Sequence, residues 1–156
     1  MKTESGRSMV EIIGVMALMG LITAAAFVLI KSTNASQKRT IVIDDVAKIV
    51  TGVRTLYADY DDMHDVNTGN SDNILAAIGV DKDAPYSGTT YQIYGARKTD
   101  GTACSSNGAC EFFSVKILGL PADECQVFAA RAWSESEGIS SSCDGTTKSV
   151  TITYAK

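Results

Sequence analysis

The sequence contains very little histidine, a common general base and metal ligand. Its only histidine is His64, so the sequence offers no histidine-based catalytic pair. Its glycines form no phosphate-binding loop. The acidic stretch from Asp59 to Asp65 lacks the glycine and the distal glutamate of an EF-hand and is interpreted as a solvated helix end. We therefore predict that the chain is not an enzyme and that it holds no metal or cofactor.

Positive charge is also scarce. Fourteen Lys and Arg residues face eighteen Asp and Glu residues, which gives a formal net charge of −4 at pH 7. No block of basic residues is present, and this argues against nucleic acid as a partner. The length of 156 residues is enough for one folded domain.

The four cysteines all lie in the last third of the chain, at Cys104, Cys110, Cys125 and Cys143. An even, clustered set of this kind indicates disulfides formed in an oxidising compartment. No two of them have the gap of two to four residues that is typical of a zinc site. Four cysteines allow three pairings, and their spacing alone does not choose among them.

Near the N-terminus, residues 9–30 form an apolar run that contains a single charged residue, Glu11. The run meets the length of about 20 residues that a membrane-spanning helix needs. Eleven of its residues are Val, Ile, Leu or Phe, and together they favour insertion by about 3 to 7 kcal/mol. A charge at the bilayer centre costs about 2.5 to 3.5 kcal/mol on the same scale, and Glu11 lies near one end. The balance predicts a transmembrane helix, longer than the apolar core of a cleaved signal peptide.

The flanking charges do not orient this helix. Lys2 and Arg7 precede it, whereas Lys31, Lys38 and Arg39 follow it, so the positive-inside rule favours neither direction strongly. Disulfides would require the C-terminal part to lie outside the cytoplasm.

Apolar residues return after the membrane segment with helical spacing of three or four. The members of this stripe are Val42, Val46, Ile49, Val53, Leu56 and Tyr60. No proline interrupts residues 8–62, so we predict one helix of about 55 residues. Its transmembrane half covers residues 7–31 and its amphipathic half covers residues 32–62.

The remaining residues, 63–156, are predicted to form a small α+β head in which an antiparallel sheet packs on the apolar stripe of the long helix. A loop over 63–73 leads to a short helix at 74–78 capped by Ser71 or Asp72. Pro121 is expected in the first turn of a second short helix. The predicted strands are Thr90–Tyr94, Phe112–Ile117 and Val150–Tyr154. The polar segment "SESEGISSSCDGT" (134–146) is expected to be a surface loop.

The N-terminal pattern resembles that of type IV prepilins, a family that includes pilus subunits and the pseudopilins of type II secretion. A short polar leader, "MKTESG" (1–6), ends in Gly6; Glu11 follows five residues later, within the apolar run. The resemblance implies that a membrane peptidase cuts between Gly6 and Arg7 and that Arg7 becomes N-methylated. It also implies that Glu11 meets the N-terminal ammonium of a neighbouring subunit, which would neutralise a carboxylate in lipid and set the register of assembly.

A strand, a Leu-Pro turn and a cysteine in the following helix resemble the type IVb-like pilins, which include those of conjugative thin pili. In that group the helical cysteine forms a disulfide with a cysteine near the C-terminus. We accordingly favour the pairs Cys104–Cys110, across the tight loop "SSNGA", and Cys125–Cys143, which closes a larger loop.

The resulting hypothesis is a structural subunit of a type IV pilus. It would be held in the bacterial inner membrane by one helix, with the head outside the cytoplasm, and then become part of an extracellular filament. Its expected partners are other copies of itself, the prepilin peptidase and the inner-membrane assembly platform. Two alternatives remain: a type II secretion pseudopilin, and a membrane-anchored periplasmic binding module that stays monomeric.

Overall fold

The structure, a computed structural model, describes residues 5–60, 63, 66, 71–104 and 110–156, with side chains from Met9 onward within these ranges. Three helices and four strands occur in the order α1 (Ser5–Leu56), α2 (Ser71–Ile78), β1 (Thr90–Ala96), β2 (Phe112–Leu118), α3 (Ala122–Ala129), β3 (Ser136–Ser142) and β4 (Ser149–Ala155). The predicted α+β class, with a long apolar N-terminal helix packed against a small antiparallel sheet, is confirmed.

The chain divides within α1 into two compact units, one ending at Thr40 and the other comprising Ile41–Lys156. Among the described residues one helix, from Met9 to Leu56, is long and apolar enough to cross a membrane. Its most apolar stretch is uncovered by the rest of the chain. The hydroxyl of Thr23 donates a 2.7 Å hydrogen bond to the carbonyl of Met19 one turn earlier. This internal bond lowers the cost of placing a hydroxyl in a lipid environment.

The sheet of the second unit has the strand order β1-β2-β4-β3, and all neighbouring strands are antiparallel. The central strands β2 and β4 pair over their full length, from Phe112 opposite Ala155 to Leu118 opposite Ser149. Three of the strands were predicted from the sequence, and each extends one or two residues beyond its predicted bounds.

The fourth strand, β3, corrects the prediction that residues 134–146 form a loop. Serine and glycine are poor strand formers, but the edge of β4 supplies a ladder of backbone hydrogen bonds that overrides this local preference. The register shifts between Ser136 and Gly138, so β3 begins with a bulge.

The core lies between the second half of α1 and one face of the sheet. Val42, Val46, Ile49 and Val53 are at most 1% exposed, and they join Val115, Ile117, Val150 and Ile152 from the two central strands in one cluster. Their burial follows from the helical spacing of the apolar positions, which brings them onto one face of α1.

The apolar stripe of α1 and the helix itself both end earlier than the sequence predicted. Leu56 and Tyr60 are 45% and 49% exposed, and α1 ends at Leu56, short of the predicted residue 62. A turn follows, in which the amide of Tyr60 donates to the carbonyl of Tyr57 at 3.2 Å. Asp59 offers a physical reason, because a carboxylate is unfavourable at the negative end of the helix dipole.

The two short helices begin slightly differently from the predictions. Ser71 is the first residue of α2, and its hydroxyl accepts a 2.8 Å hydrogen bond from the amide of Ile93 in β1. It therefore ties α2 to the sheet. Pro121 takes the N-cap position immediately before α3, where its extended backbone precedes the first helical residue.

Two disulfides stabilise the second unit, Cys104–Cys110 and Cys125–Cys143, the same pairs that the sequence favoured. The first joins the segment after β1 to the start of β2. The second joins α3 to the residue that follows β3, so it fixes the edge strand to the helix. Residues 105–109, which Cys104 and Cys110 enclose, lie outside the described residues.

Candidate functional site

The first candidate site is the uncovered apolar surface of α1 around Glu11. Glu11 is exposed, as are the apolar side chains on every side of the helix from Met9 to Ile30. Their exposed fractions lie between about one half and three quarters. The structure places Gly6 and Arg7, the predicted cleavage positions, in the first turns of α1, but their side chains are not among those described.

This surface has an unusual combination of properties for a protein exterior. An apolar patch of this size marks a contact with lipid or with other proteins. A single carboxylate within it is costly unless a cation meets it. Within residues 9–30 no cationic residue exists that could do so. The arrangement therefore fits a helix whose neighbours are lipid or other apolar helices, with Glu11 as the one specific polar contact.

A second candidate site lies entirely in the unit formed by residues 41–156. It is a groove of about 300 Å³ between the second half of α1 and the segment from Arg131 to Glu135. Val46 and Val50 of α1 and the buried Trp133 supply apolar walls, and Tyr154 of β4 lines it as well. We call this the α1–β3 groove, because the segment from Arg131 to Glu135 leads directly into β3.

Trp133 is fixed in the wall of the groove by three contacts. Its ring stacks on Phe128 of α3, with centroids 6.1 Å apart, and its indole nitrogen donates to the carbonyl of Phe128 at 3.0 Å. The guanidinium of Arg131 lies 5.7 Å from the ring centroid, a geometry that allows a cation–π attraction. The wall is therefore preformed, and one cation lies beside it.

Arg54 of α1 contacts Glu135, which lines the groove, and the end of β4. Its guanidinium forms an ion pair with Glu135 and donates to the carbonyl of Ala155 at 3.2 and 3.4 Å. Glu135 has φ of 60°, a left-handed backbone that is uncommon for a residue with a side chain. The ion pair with Arg54 helps to hold Glu135 in this conformation, with its carboxylate engaged.

Tyr154 contributes a polar group to an otherwise apolar part of the groove. The residue is 2% exposed, and its ring stacks on Phe113 with centroids 5.6 Å apart. Its hydroxyl has no hydrogen-bond partner among the described residues. Burial raises the pKa of Tyr154 to about 12, while nearby Arg54 lowers that pKa and Glu135 raises it further. The hydroxyl is thus protonated at neutral pH and able to donate a hydrogen bond to a ligand.

A smaller polar network joins α1 to β1. The hydroxyl of Tyr91 donates a 3.2 Å hydrogen bond to the carboxylate of Asp45. The Nζ atom of Lys48 lies 2.9 Å from a carboxylate oxygen of Asp44 and 3.9 Å from one of Asp45. Burial is the main reason that the pKa of Asp45 is raised above its usual value. The same burial, with the charge of Asp45, raises the pKa of Tyr91. This network fixes the docking of the helix on the sheet.

The acidic stretch from Asp59 to Asp65 and its histidine are described only in part. His64 and three carboxylates of the acidic stretch, at 61, 62 and 65, lie outside the described residues. Within the part of the chain that the structure describes, no group of three His, Cys, Asp or Glu residues is arranged to hold a metal ion. Sequence reasoning missed the α1–β3 groove. Its only signal was the sole tryptophan beside Arg131, since Glu135 and Tyr154 join it only through the tertiary fold.

Comparison with protein-family models, with curated proteins and with solved structures gives no match to this chain.

Proposed function

We propose that this chain is a structural subunit of a type IV pilus, of the type IVb-like kind. The observation that carries the proposal is the uncovered apolar stretch of α1 with one carboxylate, Glu11, near its start. A helix of this composition is stable in a bilayer. It is equally stable within a bundle of similar helices, where van der Waals packing replaces contact with lipid. One surface can therefore serve both the stored membrane form and the filament.

In this proposal the prepilin peptidase cleaves between Gly6 and Arg7 and methylates the nitrogen of Arg7. The new N-terminal ammonium of one subunit pairs with Glu11 of its neighbour. Apolar packing alone would tolerate many axial offsets between helices, whereas an unpaired carboxylate makes all offsets but one costly. The pair thereby determines the register of assembly at the inner-membrane platform.

Mass spectrometry of the mature protein tests the processing step. We expect the N-terminal peptide to begin at Arg7 and to carry one added methyl group. A mature chain that retains residues 1–6 would contradict the proposal and would favour the membrane-anchored module that stays monomeric.

Substitution of Glu11 tests the assembly step. Glu11→Ala should leave a membrane-held monomer and greatly reduce the yield of sheared filaments, because the ammonium of the neighbour loses its counter-ion. Thr23→Ala is the matched control in the same helix, since the Thr23 hydroxyl is already satisfied by Met19. Normal filaments from the Glu11→Ala chain would refute the register role.

A further inference from the structure

The α1–β3 groove has the properties of an unfilled docking site. Its walls at Val50 and Trp133 are apolar, and each of these residues is 8% exposed. The hydroxyl of Tyr154, a residue that is 98% buried by the same measure, lines this groove without a hydrogen-bond partner among the described residues. The hydroxyl oxygen itself keeps some contact with solvent, since it is not among the fully buried oxygens that lack a partner, so a ligand with a matching polar atom can reach it and form a hydrogen bond.

The charge at the rim indicates what kind of ligand fits. Glu135 is already paired with Arg54, whereas Arg131 has no carboxylate within ion-pair distance among the described residues. The groove therefore presents one unpaired cation beside an apolar space. The complementary ligand has an apolar or aromatic group next to a carboxylate.

The chain itself carries such a group at the turn after α1. Tyr60 is 49% exposed, and its ring contacts that of Tyr57, with centroids 5.2 Å apart. The adjacent Asp59 is exposed and has no ion pair among the described residues. The whole unit of residues 41–156 is acidic, with nine Lys and Arg against sixteen Asp and Glu, a formal net charge of −7. Two such units repel each other overall, so Arg131 supplies a local attraction for a carboxylate of another copy.

We propose that the turn formed by Asp59 and Tyr60 of one copy docks in the α1–β3 groove of a second copy. The Tyr60 ring contacts Val50 and Trp133, its hydroxyl meets that of Tyr154, and the Asp59 carboxylate pairs with Arg131. The inference deepens the proposed function, on which it rests, by naming a contact between heads in the filament.

The geometry of this contact suits a polymer. The turn and the groove are formed by different residues of one molecule, so the interface is heterologous. After one contact, the first copy keeps a free groove and the second copy keeps a free turn. Such contacts repeat into open chains unless the rotation between copies closes a ring.

Disulfide trapping in cells that make the full chain tests the contact directly. We would combine D59C with S134C, because Ser134 is an exposed residue in the wall of the groove. Non-reducing electrophoresis should then show a ladder of linked copies. The control combines D59C with S87C, since Ser87 is also an exposed serine but lies outside the groove. A ladder with S134C and none with S87C supports the docking; no ladder with S134C, or equal ladders, overturns it.

Filament formation, observed in the same cells, distinguishes failure of the docking contact from failure of the proposed function. Filaments that form without the S134C ladder would overturn the docking and leave the pilus proposal standing. The ladder without filaments from the unmodified chain would support the docking and contradict the pilus proposal.

Charge reversal gives a second test that does not depend on introduced cysteines. R131E should reduce filament yield about tenfold, the effect of losing one interfacial ion pair, and adding D59R should restore most of it. D123R is the control, because Asp123 is an exposed carboxylate that does not line the groove. Y154F removes only the hydroxyl and should weaken assembly while the thermal unfolding of the head is unchanged. Full yield from R131E would overturn the inference.

Discussion

The disulfide Cys125–Cys143 offers the sharpest test of what stabilises the second unit. We consider its removal by the double substitution Cys125→Ala and Cys143→Ala. The bridge joins α3 to the end of β3 across 18 positions. In the chain-entropy model a loop of this length stabilises the folded state by about 3 kcal/mol. Small domains have total stabilities of about 5–15 kcal/mol, so this is a large share.

The second bridge of the same unit provides an internal comparison. Cys104 and Cys110 are separated by 6 positions, and the same relation gives about 2 kcal/mol for that loop. We therefore expect the Cys125/Cys143 variant to be less stable than the Cys104/Cys110 variant. Each bridge contains one fully buried cysteine, Cys110 or Cys125, so truncation to alanine leaves a small cavity in both variants and the loop length decides the difference.

Urea unfolding of the full chain in detergent micelles measures both effects. Trp133 is the only tryptophan, and its ring stacks on Phe128 in the helix that carries Cys125, so its fluorescence reports on this region. A loss of about 3 kcal/mol lowers the urea midpoint by about 1–3 M for ordinary m-values. An unchanged midpoint, or a larger loss from the Cys104/Cys110 variant, would refute the reasoning.

Two further predictions concern the docking of α1. Gly52→Ala should lower the free energy of unfolding by about 1–3 kcal/mol, although alanine favours helix, because a Cβ there would lie 2.3 Å from Cγ2 of Ile78. Adding Ile78→Ala should recover part of the loss in denaturant titrations, and a fully stable Gly52→Ala chain would contradict this close packing. Asp45→Asn should raise the thermal midpoint at pH 7. Burial raises the pKa of Asp45, so the folded state binds its proton more tightly than the unfolded state does. The stability that this proton contributes is present below the usual carboxyl range near pH 4 and is lost as the pH rises through the folded pKa. The gain from asparagine should therefore shrink below pH 4, and Asp44→Asn, at the exposed neighbouring carboxylate, should give no such gain; a less stable Asp45→Asn chain at pH 7 would contradict the prediction.

Much of the architecture could be predicted because it depends on local patterns. The apolar run from Met9 to Ile30 needs only its composition to indicate a membrane helix, and the spacing from Val42 to Val53 needs only the helical period to indicate a buried face. Alternation in the segment from Val150 to Tyr154 similarly indicated a strand, although the expectation that only one face would be buried was wrong, because both faces of β4 are buried. These signals lie within a few residues of one another and require no knowledge of the rest of the chain.

Other features were decided only when distant segments met. β3 is a strand because β4 offers it a hydrogen-bonding edge, although its serines and glycine predict a loop. Leu56 is exposed because α1 ends there. The α1–β3 groove unites α1, Trp133 and Tyr154 from three separate parts of the sequence. The sequence alone thus determined which segments are apolar and helical, whereas backbone pairing and contacts between remote residues decided the edge strand, the end of the helix and the groove.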